Sequence, residues 1–370
     1  MPGPFLFCLG IGRAGNGIQC NTKGKKEGVT MKNAAADIGY GWTKALVEGQ
    51  TEAFKQPSVL GEPKQLFEES RRATDIIYND RYFVGDLALR HSDVRYAGTK
   101  ESKPETWTTE VLLKVALGMT APEESVNLVT GLPIDFYHSQ RGNFRDMIGK
   151  LDRAPYQLEV GRRVVACSPQ IENVKIVPQH LGAAMDYLLD SRGQVVDKGE
   201  ARKSILVVDP GYFTLGLLPI EGMEIGKERC SPPGLGADAA YKLIQDYLRE
   251  KTGNAPARYD MDAIYAKGDY RGYDIKPLFA KAFKALAGQI ELEVESLNKR
   301  YDMYLLVGGT GLRIRDYLTL PNLLMLPDPQ AANVRGYLKI AARLWGTHDD
   351  GLIRLPHRKA GAKLWGSVSG

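Results

Sequence analysis

One short phrase occurs twice in this chain, and it constrains the fold more than any other feature. Asp37-Ile38-Gly39-Tyr40-Gly41-Trp42-Thr43-Lys44 stands near the start, and Asp209-Pro210-Gly211-Tyr212-Phe213-Thr214 stands far downstream. Each reads as a strand, an acidic turn with glycine, and a returning strand. An Asp at a strand end can hold a hydrated Mg²⁺, and glycine lets backbone N–H groups come close to a phosphate. Two such turns facing each other would clamp a nucleoside triphosphate from both sides. The repetition also points to two similar half-molecules around one cleft.

At 370 residues the chain is long enough for two hydrophobic cores. Its 43% apolar and 25% charged residues match a soluble globular protein. The net charge of +5 is concentrated at the ends. Residues 1–30 carry Arg13, Lys23, Lys25 and Lys26 against Glu27, and residues 354–370 carry Arg354, Arg358, Lys359 and Lys363 without an acid. The body between them is slightly acidic, so no direct nucleic-acid binding by the body is expected. Cys8, Cys20, Cys167 and Cys230 are scattered, with no CxxC pair, and read as free thiols of a reducing cytoplasm. No uninterrupted apolar run approaches the ~20 residues of a spanning helix, so no membrane partner is expected.

The amino-terminal Gly10-Ile11-Gly12-Arg13-Ala14-Gly15 follows an apolar run and matches the dinucleotide fingerprint on paper. That fingerprint needs a helix after it, whose N-terminus holds the pyrophosphate. The residues that follow, Asn16 to Lys26, have no helical apolar period and too much Gly and Lys. Residues 1–30 therefore read as a disordered leader and 347–370 as a basic flexible tail.

Between these ends, strands alternate with helices, which makes the chain α/β. Ile205–Val208 and Tyr304–Val307 are continuous apolar strands, each feeding a turn. Trp107–Leu117 and Tyr137–Leu151 read as helices. Asp274 reads as the N-cap of a long helix to about Lys299, and Arg249–Tyr270 as polar, variable surface. The division expected is a first domain over 31–195, to which 325–346 returns, and a second over 196–324.

Four loops at strand ends carry the chemistry. In the first, Gly39 and Gly41 free the backbone, Thr43 offers a hydroxyl and Lys44 a point charge for phosphate. The second is Asp209 to Thr214. The third, Gly308-Gly309-Thr310-Gly311, lets a nucleotide lie against bare backbone. The fourth, Val177-Pro178-Gln179, delivers an amide to a helix start, where it could position a water. Any one alone is also an ordinary hairpin, turn or capping residue.

Taken in order, these four motifs resemble the actin and heat-shock-chaperone ATPase superfamily, with two ribonuclease-H-like domains around a nucleotide cleft. Asp37 to Lys44, Val129-Thr130-Gly131-Leu132-Pro133 and the run Pro327 to Tyr337 look most like bacterial actins of the plasmid-segregation (ParM/StbA) type. The resemblance implies that Asp37 and Asp209 organise Mg²⁺ and that Gln179 orients the hydrolytic water. It implies a first phosphate loop of Gly39, Tyr40, Gly41, Thr43 and Lys44, and a second of Gly211, Tyr212, Phe213 and Thr214. Gly308, Gly309 and Thr310 would flank the nucleoside of ATP or GTP. Pro210 removes one backbone N–H from the second loop, and Gly216 stands where several relatives have a further Asp.

The function implied is slow ATP hydrolysis coupled to self-polymerisation, with a DNA-binding adaptor linking the filament to a plasmid. Two rivals keep the fold. A small-molecule kinase would use the same loops with a further base, and a scaffold would bind nucleotide without hydrolysis.

Overall fold

The computed structural model describes residues 31–97, 106–226 and 234–346. The expected leader and tail lie outside the described residues.

Two five-stranded sheets carry the repeat. The first is ordered Gln170–Pro178, Ser125–Leu132, Lys32–Ile38, Trp42–Val47, Phe54–Pro57, and the second Leu323–Met325, Met303–Leu306, Ser204–Pro210, Leu215–Glu221, Glu224–Ile225. The pairing sense agrees position by position: parallel, parallel, antiparallel, antiparallel. The register agrees as well. Asp37 is the cross-strand partner of Lys44 in the first hairpin, and Asp209 that of Gly216 in the second. The duplicated phrase is thus a duplicated hairpin within a duplicated sheet.

Burial explains the apolar runs. On Ser204–Pro210, Ile205 and Val207 face one core while Leu206 and Val208 face another. A strand covered on both faces has no solvent side to mark with polar residues. The outer core of this sheet is filled by helices Ala237–Thr252 and Lys276–Ser296, through Tyr241, Ile244, Phe279 and Phe283. Ala35 and Val129 of the first sheet and Val207 and Leu218 of the second share one core with Met185, Val334 and Tyr337. Helices Leu181–Leu188 and Ala332–Trp345 therefore pack between the two sheets. They cross closely, because a Cβ on Gly336 would fall 1.7 Å from the Gly182 carbonyl oxygen.

A further six-stranded sheet runs Arg163–Cys167, Tyr156–Val160, Ile76–Tyr78, Tyr82–Val84, Val59–Gly61, Arg95–Ala97. The sequence shows only fragments of it, since four of its strands are three residues long. The segment read as variable surface, Arg249–Tyr270, instead contains the helix Met261–Lys267, with Met261 fully buried. The long helix runs Lys276–Ser296 and Ile275 holds the cap position. Asp274 still serves it, accepting the Lys276 N–H at 3.0 Å. Among the described residues no helix is long and apolar enough to cross a membrane.

Candidate functional site

Both hairpin turns open onto one cavity of about 960 Å³, within the range of small-molecule sites. One wall is Gly39 to Trp42 with Lys44, and the facing wall is Asp209 to Thr214. Gln179, His180 and Gly308 to Thr310 line it as well. The turns nearly touch: a Cβ on Gly41 would fall 2.8 Å from Tyr212 Cβ, and the Tyr40 and Phe213 rings meet edge-on at 6.2 Å.

Each turn is held from outside by its carbonyl oxygens. Ser58 Oγ donates to Gly39 O at 2.7 Å and Ser58 N–H to Gly41 O at 2.9 Å. On the other side, Thr310 Oγ1 and the Ala237 N–H both donate to Gly211 O at 3.0 Å, and the Asp238 N–H donates to Tyr212 O at 2.8 Å. Among the described residues the N–H groups of Gly41, Tyr212 and Phe213 take no protein acceptor. Carbonyls tied back and amides left over suit an anion.

The two acidic residues differ in their surroundings. Asp37 is fully buried, with Oδ1 accepting from Gln179 Nε2 at 2.6 Å and Oδ2 from Lys44 Nζ at 3.1 Å. Both its oxygens are thus engaged, and it does not line the cavity. Asp209 places Oδ2 against His180 Nδ1 at 3.0 Å and Asn333 Nδ2 at 3.3 Å. Burial pushes the Asp209 carboxyl upward, but the His180 bond, the nearby positive charge of Lys44 and the Asn333 bond outweigh it, holding the group below the usual carboxylate range.

The residues fit Mg²⁺ better than a transition metal. No group of three or more His, Cys, Asp or Glu among the described residues forms a metal cage. Asp209 Oδ1 has no protein donor there, and a lone carboxylate oxygen beside a phosphate site is the usual protein share of a Mg²⁺ shell.

Thr43 does not join the cavity: its hydroxyl is buried and bonds Ser58 Oγ at 2.9 Å. The other sequence-derived residues apart from Asp37 do line it. Sequence reasoning gave no role to His180, Asn333 or Tyr337, whose hydroxyl donates to Gln179 O at 2.7 Å. It also missed the far wall. There Arg313 Nη2 donates to Asp262 Oδ1 at 2.6 Å, and the guanidinium lies 4.6 Å from the Tyr265 ring centroid.

Residues 35–182 match the family model described as the actin-like proteins N-terminal domain. The fold is actin-like. It is similar to a non-polymerisable quadruple mutant of pCBH ParM, at 21% identity and a TM-score of 0.69, covering 85% of this chain and 100% of that one. A 15-stranded ParM filament from Clostridium botulinum matches at 21% identity and a TM-score of 0.67, over 85% and 99% of the two chains. An archaeal actin homologue in complex with ADP matches at 19% identity and a TM-score of 0.63, over 85% and 100%. No curated protein sequence matches the chain. The resemblance read from the four motifs is borne out, and the actin-like fold accounts for two matching sheets around one cleft.

Proposed function

We propose that this actin-like chain binds ATP or GTP with Mg²⁺ in the cavity between its two acidic turns, hydrolyses it slowly and polymerises with it. The supporting observation is that two matching hairpins face one cavity, with Gln179 bonded to Asp37 at its edge. The ParM filament and the ADP-bound archaeal homologue, similar in fold, point the same way. The two domains of this reading are 31–195 with 325–346, and 196–324. The filament would act in the cytoplasm on plasmid DNA through an adaptor protein.

The mechanism follows from the side chains. Gln179 gives its Nε2–H to Asp37, which leaves Oε1 to accept from a water in the cavity. A neutral amide is a poor base, but phosphoryl transfer needs mainly positioning and electrostatics. Lys44 brings a positive charge to the first turn, and the N–H groups of Gly41, Tyr212 and Phe213, which take no acceptor among the described residues, would serve developing phosphate charge. Asp209 Oδ1 would help hold Mg²⁺, and the ion would supply charge neutralisation to the phosphates.

Light scattering and phosphate release, followed together after adding ATP–Mg²⁺ or GTP–Mg²⁺, test the reading. Scattering with phosphate release is the expected result. Scattering without phosphate indicates a scaffold, and neither signal without a third substrate indicates a kinase.

A further inference from the structure

The two hairpins are equivalent, so their acidic residues should be held alike, and they are not. In the first, the cross-strand partner Lys44 reaches Asp37 Oδ2. In the second, that position is Gly216, which has no side chain to offer. The space is filled from elsewhere. A Cβ on Gly216 would lie 2.1 Å from His180 Nε2 and 2.3 Å from its Cε1, so the imidazole occupies the volume any side chain at 216 would need.

His180 comes from the residue before helix Leu181–Leu188. Asp209 is an acceptor, so Nδ1 carries the hydrogen of the 3.0 Å bond. Asn333 Nδ2 adds a second donor to the same oxygen, Oδ2. No donor among the described residues reaches Oδ1. That oxygen lies beside Gly308, where a Cβ would fall 2.4 Å from it and where φ is +80°. Glycine at 308 keeps Oδ1 clear, and the two donors on Oδ2 fix which way it points.

We propose that His180 is the positioning residue of the second acidic turn: seated in the space Gly216 leaves, it anchors Asp209 Oδ2 and so presents Oδ1 to a nucleotide-bound divalent cation. Gln179 and His180 are consecutive, and they bond Asp37 and Asp209 respectively. One dipeptide at a helix start therefore sets both jaws of the cleft. Tyr337 fixes it from behind through the Gln179 carbonyl. Gly216 is then the complement of His180, and the pair explains why a side chain is missing from the second turn.

This inference rests on the nucleotide reading above. The test titrates Mn²⁺ with ADP by electron paramagnetic resonance, beside thermal melting and phosphate release. His180→Ala is expected to weaken Mn²⁺–ADP binding by roughly tenfold or more, as loss of an outer partner of a metal ligand does. His180→Asn, which puts an amide N–H near the Nδ1 place, is expected to recover most of that loss. Gly216→Ala, which crowds the ring and leaves the carboxylate and imidazole in the chain, is expected to weaken binding as His180→Ala does. A folded His180→Ala variant with unchanged Mn²⁺–ADP affinity overturns the proposal, as does His180→Asn binding no better than His180→Ala. If His180→Ala does not melt cooperatively, His180→Asn against Gly216→Ala decides, and equal affinities overturn it. Wild-type protein that binds no Mn²⁺–ADP overturns the nucleotide reading and this inference together.

Discussion

Gln179 Nε2 lies 2.6 Å from Asp37 Oδ1, and this bond decides which way the Gln179 amide faces. A carboxylate can only accept, so the NH₂ end turns toward Asp37 and the carbonyl end turns away. Glu at position 179 would set two carboxylates against each other at a buried site, with no proton to share at neutral pH. Gln179→Glu is therefore expected to lose about 1–3 kcal/mol of stability at pH 8, the cost of unpaired buried polar groups. The loss should shrink at pH 5, where one carboxyl can take a proton and donate. Urea unfolding at the two pH values checks this, and a loss independent of pH would contradict it.

Lys44 is the other partner of Asp37, and both are shielded from water. Removing one member of a buried ion pair costs more than removing both, because the survivor keeps its desolvation penalty. Lys44→Met should destabilise by about 3–5 kcal/mol. Adding Asp37→Asn should restore much of that, since the amide needs no counter-charge. Unfolding midpoints of the two singles and the double give the coupling directly.

These pairs show what the sequence could and could not reveal. The duplicated Asp-x-Gly-Tyr phrase was legible because a hairpin turn is a local object, and its glycines and acid lie within a few residues. Gln179 was legible as the end of a β-rich run meeting a helix. His180 was not, because its role depends on an absent side chain at Gly216, across a strand boundary. The six-stranded sheet was hidden because strands such as Val59–Gly61 and Ile76–Tyr78 are too short to show a period of two. Arg249–Tyr270 looked like surface because its fully buried Met261 sits among polar neighbours, while Asp262 faces the cavity and Arg313.

Helix crossing gives a prediction that separates two glycines of the same kind. Gly336 sits in helix Ala332–Trp345, where a Cβ would meet the Gly182 carbonyl oxygen at 1.7 Å. Gly288 sits in helix Lys276–Ser296, where a Cβ would meet nothing within 4 Å. Gly336→Ala must push two helices apart between the sheets and is expected to cost about 1–3 kcal/mol or more. Gly288→Ala meets no neighbour and should stabilise by about 0.5–1 kcal/mol through helix propensity. Thermal melts of the two variants should shift in opposite directions.

Lys175 is half-buried on the edge strand of the first sheet, beside Arg141 and Arg145 of helix Ile134–Leu151. Burial lowers its pKa, and repulsion from the two arginines lowers it further. A lysine whose folded pKa lies below its unfolded value of about 10.4 is charged at a cost to the fold at neutral pH. That cost is fully present below the folded pKa and fades as pH rises through it toward the unfolded value. Lys175→Met should therefore raise the melting temperature at pH 7, and its advantage should vanish by about pH 10.5. Arg145→Gln should do the same in part, by removing one source of repulsion. Melting curves of the three proteins across this range decide it, and a Lys175→Met variant that melts lower at pH 7 would mean that the ammonium has an anionic partner in the folded protein.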